Sequence, residues 1–151
     1  MKGLIYKFKA SRIKTDKTYN SKLINELINE HSKLFSLYEQ IIDEYKNKNY
    51  KKTLKLLKKF YELYNLHILK EDKKLYTYLI IKYKFFDDIK NRITEKQNHM
   101  KEITKKLDSF VSEYKNIQQI KNPSFLEELE KLGNALSERV EFEEKELYDK
   151  Y

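Results

Sequence analysis

Three histidines, two glutamates and one arginine are the residues whose types and spacing hold chemistry in this 151-residue chain. His31, His67 and His99 each fall on an apolar stripe read at helical spacing, where burying a polar group is costly unless it has a partner. Glu71 follows His67 by four residues and Glu143 follows Arg139 by four. Residues four apart project from one face of a helix, so each pair aims a nitrogen group and a carboxylate at one interior point. Three imidazoles and two carboxylates form the hard-to-borderline N/O set that suits non-haem iron or manganese, and zinc also accepts such a set. The chain has no cysteine, which removes thiolate sites, disulfides and a Cys nucleophile. No phosphate loop, Ser-His-Asp context or cofactor fingerprint is present, so the sequence gives no sign of a conventional enzyme.

These side chains need long helices to hold them. With two glycines and one proline the sequence lacks the frequent turn residues of a sheet protein. Four segments have helical periodicity, and the reading is all-α, an antiparallel up-down-up-down four-helix bundle. The first segment starts near Asn20 or Ser21 and runs to about Lys46, with Ile24, Leu27, Ile28, Leu34, Phe35, Tyr38, Ile41, Ile42 and Tyr45 inward. The second runs from about Tyr50 to Lys84, with Leu56, Leu57, Phe60, Tyr64, Leu75 and Tyr78 on its stripe. Asp87 or Asp88 caps the third, which ends near Asn116. Residues 117–122 read as a linker, Pro123 suits the first turn of the fourth helix, and Phe125, Leu129, Leu132, Leu136, Val140 and Leu147 face inward there. Counted from the turns, His31, His67, His99 and Arg139 all lie about 16 or 17 residues away, which sets them at one level of the bundle. Residues 1–18 read as a short basic N-terminal arm and 19–151 as the bundle.

The net charge of +8 is spread along the chain, except that residues 124–151 carry nine acids against four bases. No recognition helix or finger accompanies it, so it reads as solvated helix surface rather than a nucleic-acid footprint. No apolar run is long enough to span a membrane, no signal peptide is apparent, and the expected location is the cytoplasm. The thirteen tyrosines read mainly as packing residues.

The segments NEHSKLFSLYEQI, LHILKEDKKLY, QNHMKEI and RVEFEEKELY resemble the four helices of the hemerythrin-like HHE domain. The resemblance covers nearly everything after the arm. It implies a carboxylate-bridged di-iron centre that binds or senses O2, NO or a related small ligand. By similarity Glu71 and Glu143 would bridge the irons, His31 and His67 would serve one, and His99 the other. Helix two reads His67-xxx-Glu71 followed by Leu75 and Tyr76, and helix four repeats this as Arg139-xxx-Glu143 followed by Leu147 and Tyr148. Arg139 is the departure, standing where the family expects histidine, and a guanidinium offers no lone pair. The alternatives are a loosely held second iron, a single metal, or no metal with Arg139 paired to Glu71 or Glu143 or directed to the surface. The stretch LEKLGNALSERVEFEEK also resembles the last helix of the Rsd/AlgQ anti-sigma regulators, which would imply a sigma factor or another protein as partner.

Overall fold

The computed structural model describes residues 9–151, so residues 1–8 of the expected arm lie outside the described residues. The chain is all-helical, with no strand among the described residues. Helix α1 spans Leu23–Lys46, and α2 spans Tyr50–Lys70. A π-helical segment, Glu71–Tyr76, continues α2 without a break into α3, Thr77–Lys82. Helix α4 spans Asp87–Glu113, α5 is the single turn Ile117–Ile120, and α6 spans Ser124–Phe142. A second π-helical segment, Glu143–Leu147, and a 3-10 turn, Tyr148–Lys150, extend α6.

The boundaries follow local chemistry. Asn20 does not cap α1 directly; its side chain accepts from the Lys22 amide, and the helix starts three residues later. The polar KNKN stretch closes the α1–α2 turn, with Lys48 at a φ of 59°. The expected linker 117–122 contains α5, because the Asn116 side chain accepts from the Gln119 amide and caps that turn. Pro123 immediately precedes α6, where the missing amide proton costs nothing.

Neighbouring long segments meet through pairs whose residue numbers climb on one and fall on the other. Lys52 bonds Glu44, and His67 bonds Glu30. Tyr61 bonds Asp108, Tyr64 meets Thr104, and Gln97 bonds Asp72. Arg92 reaches Glu146, and Tyr114 meets Ser124. Residue 16 donates its amide to the Lys73 carbonyl, and Lys73 donates to the Ile13 carbonyl, which ties the end of the arm to the first π segment.

The core is split in two. One apolar cluster holds Leu34, Ile41, Leu57, Phe60, Leu107 and Phe125, and the other holds Leu23, Leu27, Leu75, Leu79, Ile93 and Leu147. Between them, on α1, His31 separates Leu27 from Leu34. The inward rows hold in part: Leu27, Leu34, Ile41, Leu57, Phe60 and Leu75 are buried, while Ile24, Ile28, Phe35, Tyr38, Ile42, Tyr45, Leu56, Tyr78 and Val140 are only partly so, and Leu23, Leu37 and Leu79 are buried as well. No helix among the described residues is long and apolar enough to cross a membrane.

Candidate metal centre

Four of the five expected ligands meet in the layer between the two clusters. One donor atom from each of His31, His67, Glu71 and Glu143 lies within 4.8 Å of the other three. All four residues are buried, at 3% exposure or less. His31 Nε2 stands 3.1 Å from His67 Nε2 and 3.1 Å from Glu143 Oε2, and His67 Nε2 stands 2.7 Å from Glu71 Oε1. Donor atoms sharing one ion at bond lengths of about 2.0–2.2 Å stand roughly 2.7–4.4 Å apart, which is the spacing seen here. The outer limit asks for only a small inward movement.

Each imidazole is oriented from behind. His31 Nδ1 lies 3.2 Å from Glu144 Oε1, and His67 Nδ1 lies 3.0 Å from Glu30 Oε1, which is itself held by Lys70. A carboxylate only accepts, so both Nδ1 atoms donate and both Nε2 atoms face the centre. This carboxylate–histidine arrangement is the backing that metal-binding imidazoles use. Neither Glu30 nor Glu144 stood out in the sequence. Glu30 precedes His31 by one residue and Glu144 follows Glu143, so both sit beside, not on, the core stripes.

His99 does not join the four. It lies exposed on α4, and Met100 is buried in its place. Ile93, Met100 and Leu107 repeat every seven residues and Ile103 lies three after Met100, so the buried row passes through position 100. Position 99 is also compatible with Ile103 at a spacing of four, and the sequence alone did not separate the two readings.

Arg139 is buried in the layer rather than directed to the surface. Its Nε donates to Glu143 Oε1 at 2.9 Å, its Nη2 donates to the Tyr76 hydroxyl, and its guanidinium carbon lies over the Phe142 ring, 5.2 Å from the centroid. Two buried atoms of this layer have no hydrogen-bond partner, Arg139 Nη1 and Glu71 Oε2. Unsatisfied buried groups of this kind are rare unless a site serves something beyond packing.

Two tyrosines that the sequence places after Leu75 and Leu147, without a role in the site, also enter this layer. The π segments begin at Glu71 and Glu143 and widen the turn, so the residue five positions on shares the glutamate's face. Those residues are Tyr76 and Tyr148. Each crosses to the other chain segment: Tyr76 to Arg139, and Tyr148 to Glu71 Oε1 at 2.8 Å. The repeated Glu-xxxx-Tyr spacing was visible in the sequence, but an α-helical frame aims position four, not five, at the glutamate's face.

Electrostatics divide the two carboxylates. Burial works against the charge on Glu71, but the His67 imidazole and the Tyr148 hydroxyl outweigh it and hold this carboxyl below its usual range. Burial and the Glu71 charge push Glu143 upward despite His31 and Arg139. Burial also opposes a charged His67, yet Glu71 and Glu30 overcome it and raise His67 to about 10. The ion-free site therefore keeps His67 as an imidazolium that donates from both nitrogens. Burial, then the Glu71 and Glu143 charges, hold the Tyr148 phenol far above its ordinary range.

A cavity of about 30 Å³ borders His31, His67, Glu143 and Arg139 and is lined by apolar side chains including Leu136 and Met100. One water needs about 10–15 Å³ measured this way, so there is room for a few atoms and no more.

The donor set, its backing carboxylates and the unpartnered Glu71 oxygen fit a metal ion. Searches among curated proteins and solved structures gave no match. The family model described as the hemerythrin HHE cation-binding domain matches residues 22–151, so the chain belongs to this metal-binding family, whose usual metal is iron.

Proposed function

We propose that the chain folds as an antiparallel up-down-up-down four-helix bundle holding one non-haem iron between His31, His67, Glu71 and Glu143, and that this centre binds or senses a small diatomic ligand such as O2 or NO. The observation that carries this reading is the convergence of four buried donor atoms within 4.8 Å. The paired contacts between successive long segments support the bundle topology.

The other half of the layer supports one ion rather than two. Arg139 brings a fixed positive charge against Glu143, and His99 lies on the outer face of α4. Two divalent ions plus Arg139 would set five positive charges against two carboxylates in a dry interior, a poor balance. A single ion leaves the charges nearly matched. In the Rsd/AlgQ-like stretch Leu132, Gly133, Leu136 and Arg139 are buried, Ala135 is half-buried and Glu138 is exposed.

When bound, iron supplies a Lewis-acidic, redox-active centre for small-ligand binding. The protein supplies everything else. Glu30 and Glu144 orient the imidazoles, the two apolar clusters exclude bulk water, and the small cavity limits what reaches the donors. Anaerobic loading with ferrous iron followed by metal analysis is the test. The expected result is about one iron per chain, lost in Glu71→Ala and His31→Ala and kept in His99→Ala. Protein that remains iron-free after loading, or that needs His99 to retain iron, would falsify this reading.

A further inference from the structure

Tyr148 stands closer to the donor atoms than a supporting residue needs to. Its hydroxyl oxygen lies 2.8 Å from Glu71 Oε1, 3.3 Å from His31 Nε2 and 3.4 Å from Glu143 Oε2. Those are three of the four atoms that converge on the proposed centre, and the three separations fall in the range expected of donors around one ion. A residue that merely backs a ligand approaches its outer side, as Glu30 and Glu144 approach the Nδ1 atoms. Tyr148 instead meets Glu71 at Oε1, the oxygen facing the imidazoles, while Glu71 Oε2 is left without a partner. The ring is fixed in this position by stacking on His31, with centroids 5.8 Å apart and planes 11° from parallel. Tyr76, its counterpart at the end of the other π segment, is engaged by Arg139.

We infer that Tyr148 is a fifth protein ligand, giving a mononuclear site of two imidazoles, two carboxylates and one phenolate. The inference rests on the single-iron reading above. On binding, the Tyr148 O–H bond breaks, its electron pair remains on oxygen to form the bond to iron, and the proton leaves to solvent. A phenolate is a hard anionic donor, so the set favours ferric over ferrous iron. Ferric tyrosinate sites also absorb visible light through phenolate-to-iron charge transfer, which imidazole and carboxylate ligands do not supply.

The test uses the full chain loaded with iron and oxidised in air, with iron content measured on the same samples. Wild type and Tyr76→Phe should both be coloured, with resonance Raman ring modes of a bound tyrosinate that shift when the protein carries ring-deuterated tyrosine. Tyr148→Phe should lose the band and those modes and bind iron more weakly than wild type. The wild-type Raman experiment stands even where Tyr148→Phe fails to fold. Iron-loaded wild type without tyrosinate modes, or a band unchanged in Tyr148→Phe, overturns the assignment and leaves the four-ligand site intact. Wild type that takes up no iron overturns the metal reading itself, and Tyr148's role with it.

Discussion

Arg139 and His31 divide the two oxygens of Glu143 between them. Glu143 Oε1 accepts from Arg139 Nε at 2.9 Å, while Glu143 Oε2 faces His31 Nε2 at 3.1 Å. A carboxylate bridging two metals would need both oxygens. Here one is already committed to a guanidinium, which cannot give up its charge. The arginine thus occupies the electrostatic place of a second ion, and it does so with a side chain fixed at both ends by Glu143 and Tyr76.

Removing that guanidinium should be costly in the ion-free protein. Arg139→Met leaves Glu143 Oε1 and the Tyr76 hydroxyl without their partner inside the layer. Breaking a buried pair in this way costs about 3–5 kcal/mol. Urea unfolding of ion-free wild type and variant measures it, and a loss below about 1 kcal/mol would contradict a fully buried pair.

Arg139→His alone should not create a two-iron protein, because the third-segment ligand is missing as well. His99 is exposed, and the buried position beside the layer belongs to Met100, which lines the same cavity as Arg139. Iron content is expected to stay near about one per chain in Arg139→His and to rise only when Met100→His is added. A full second equivalent in Arg139→His by itself would mean that His99 reaches the site from outside.

Much of this was legible in the sequence, and the exceptions have physical causes. The helices, the inward rows and four of five proposed ligands follow from helical periodicity and the four-residue spacing of His67–Glu71 and Arg139–Glu143. His99 was misplaced by one residue because Ile103 permits an inward neighbour at either three or four positions before it. The inward direction of Tyr76 and Tyr148 was not legible because a π turn shifts the frame at the glutamates, and nothing in the local residue types announces a π turn. Glu30 and Glu144 were hidden because backing residues sit off the core stripe, where an acidic side chain reads as ordinary surface.

The backing carboxylates should matter to metal retention without being ligands. Glu30→Gln and Glu144→Gln keep the shape but weaken the acceptor that fixes each Nδ1–H. Each change should lower iron affinity by about 10- to 100-fold while leaving the helical content unchanged. Competition with a chelator, read by circular dichroism and metal analysis together, checks both parts. Affinities equal to wild type would show that packing alone orients the imidazoles.

Small-ligand access should depend on the cavity rather than on the outer surface. Leu136 and Met100 form part of its wall, and its volume of about 30 Å³ leaves little to spare. Leu136→Phe should fill it, slowing nitric oxide uptake by the ferrous protein at least tenfold while iron content holds. Overpacking of this kind costs about 1–3 kcal/mol, so the fold should survive. Uptake at the wild-type rate would place the entry path elsewhere.

The sharpest pH effect should come from His67, and it should have opposite signs with and without iron. Burial opposes its charge, but Glu71 and Glu30 raise it to about 10 in the folded, ion-free protein, against an ordinary value near 6.5. A group raised on folding stabilises the native state fully below its unfolded value, and that contribution disappears as pH climbs through the folded value. Between those limits the folded state binds the extra proton, so unfolding free energy should fall by up to about 1.4 kcal/mol per pH unit. Iron needs the lone pair that this proton occupies, so iron affinity should rise across the same window by up to about tenfold per unit. Urea unfolding of ion-free wild type from neutral pH towards 10, beside His67→Gln, measures the first effect, and chelator competition measures the second. Wild type should lose stability with pH while His67→Gln, already weaker, changes little. Parallel pH profiles for the two proteins would show that His67 does not carry the extra proton, and the Glu30–His67–Glu71 chain would then need to be redrawn with a neutral imidazole.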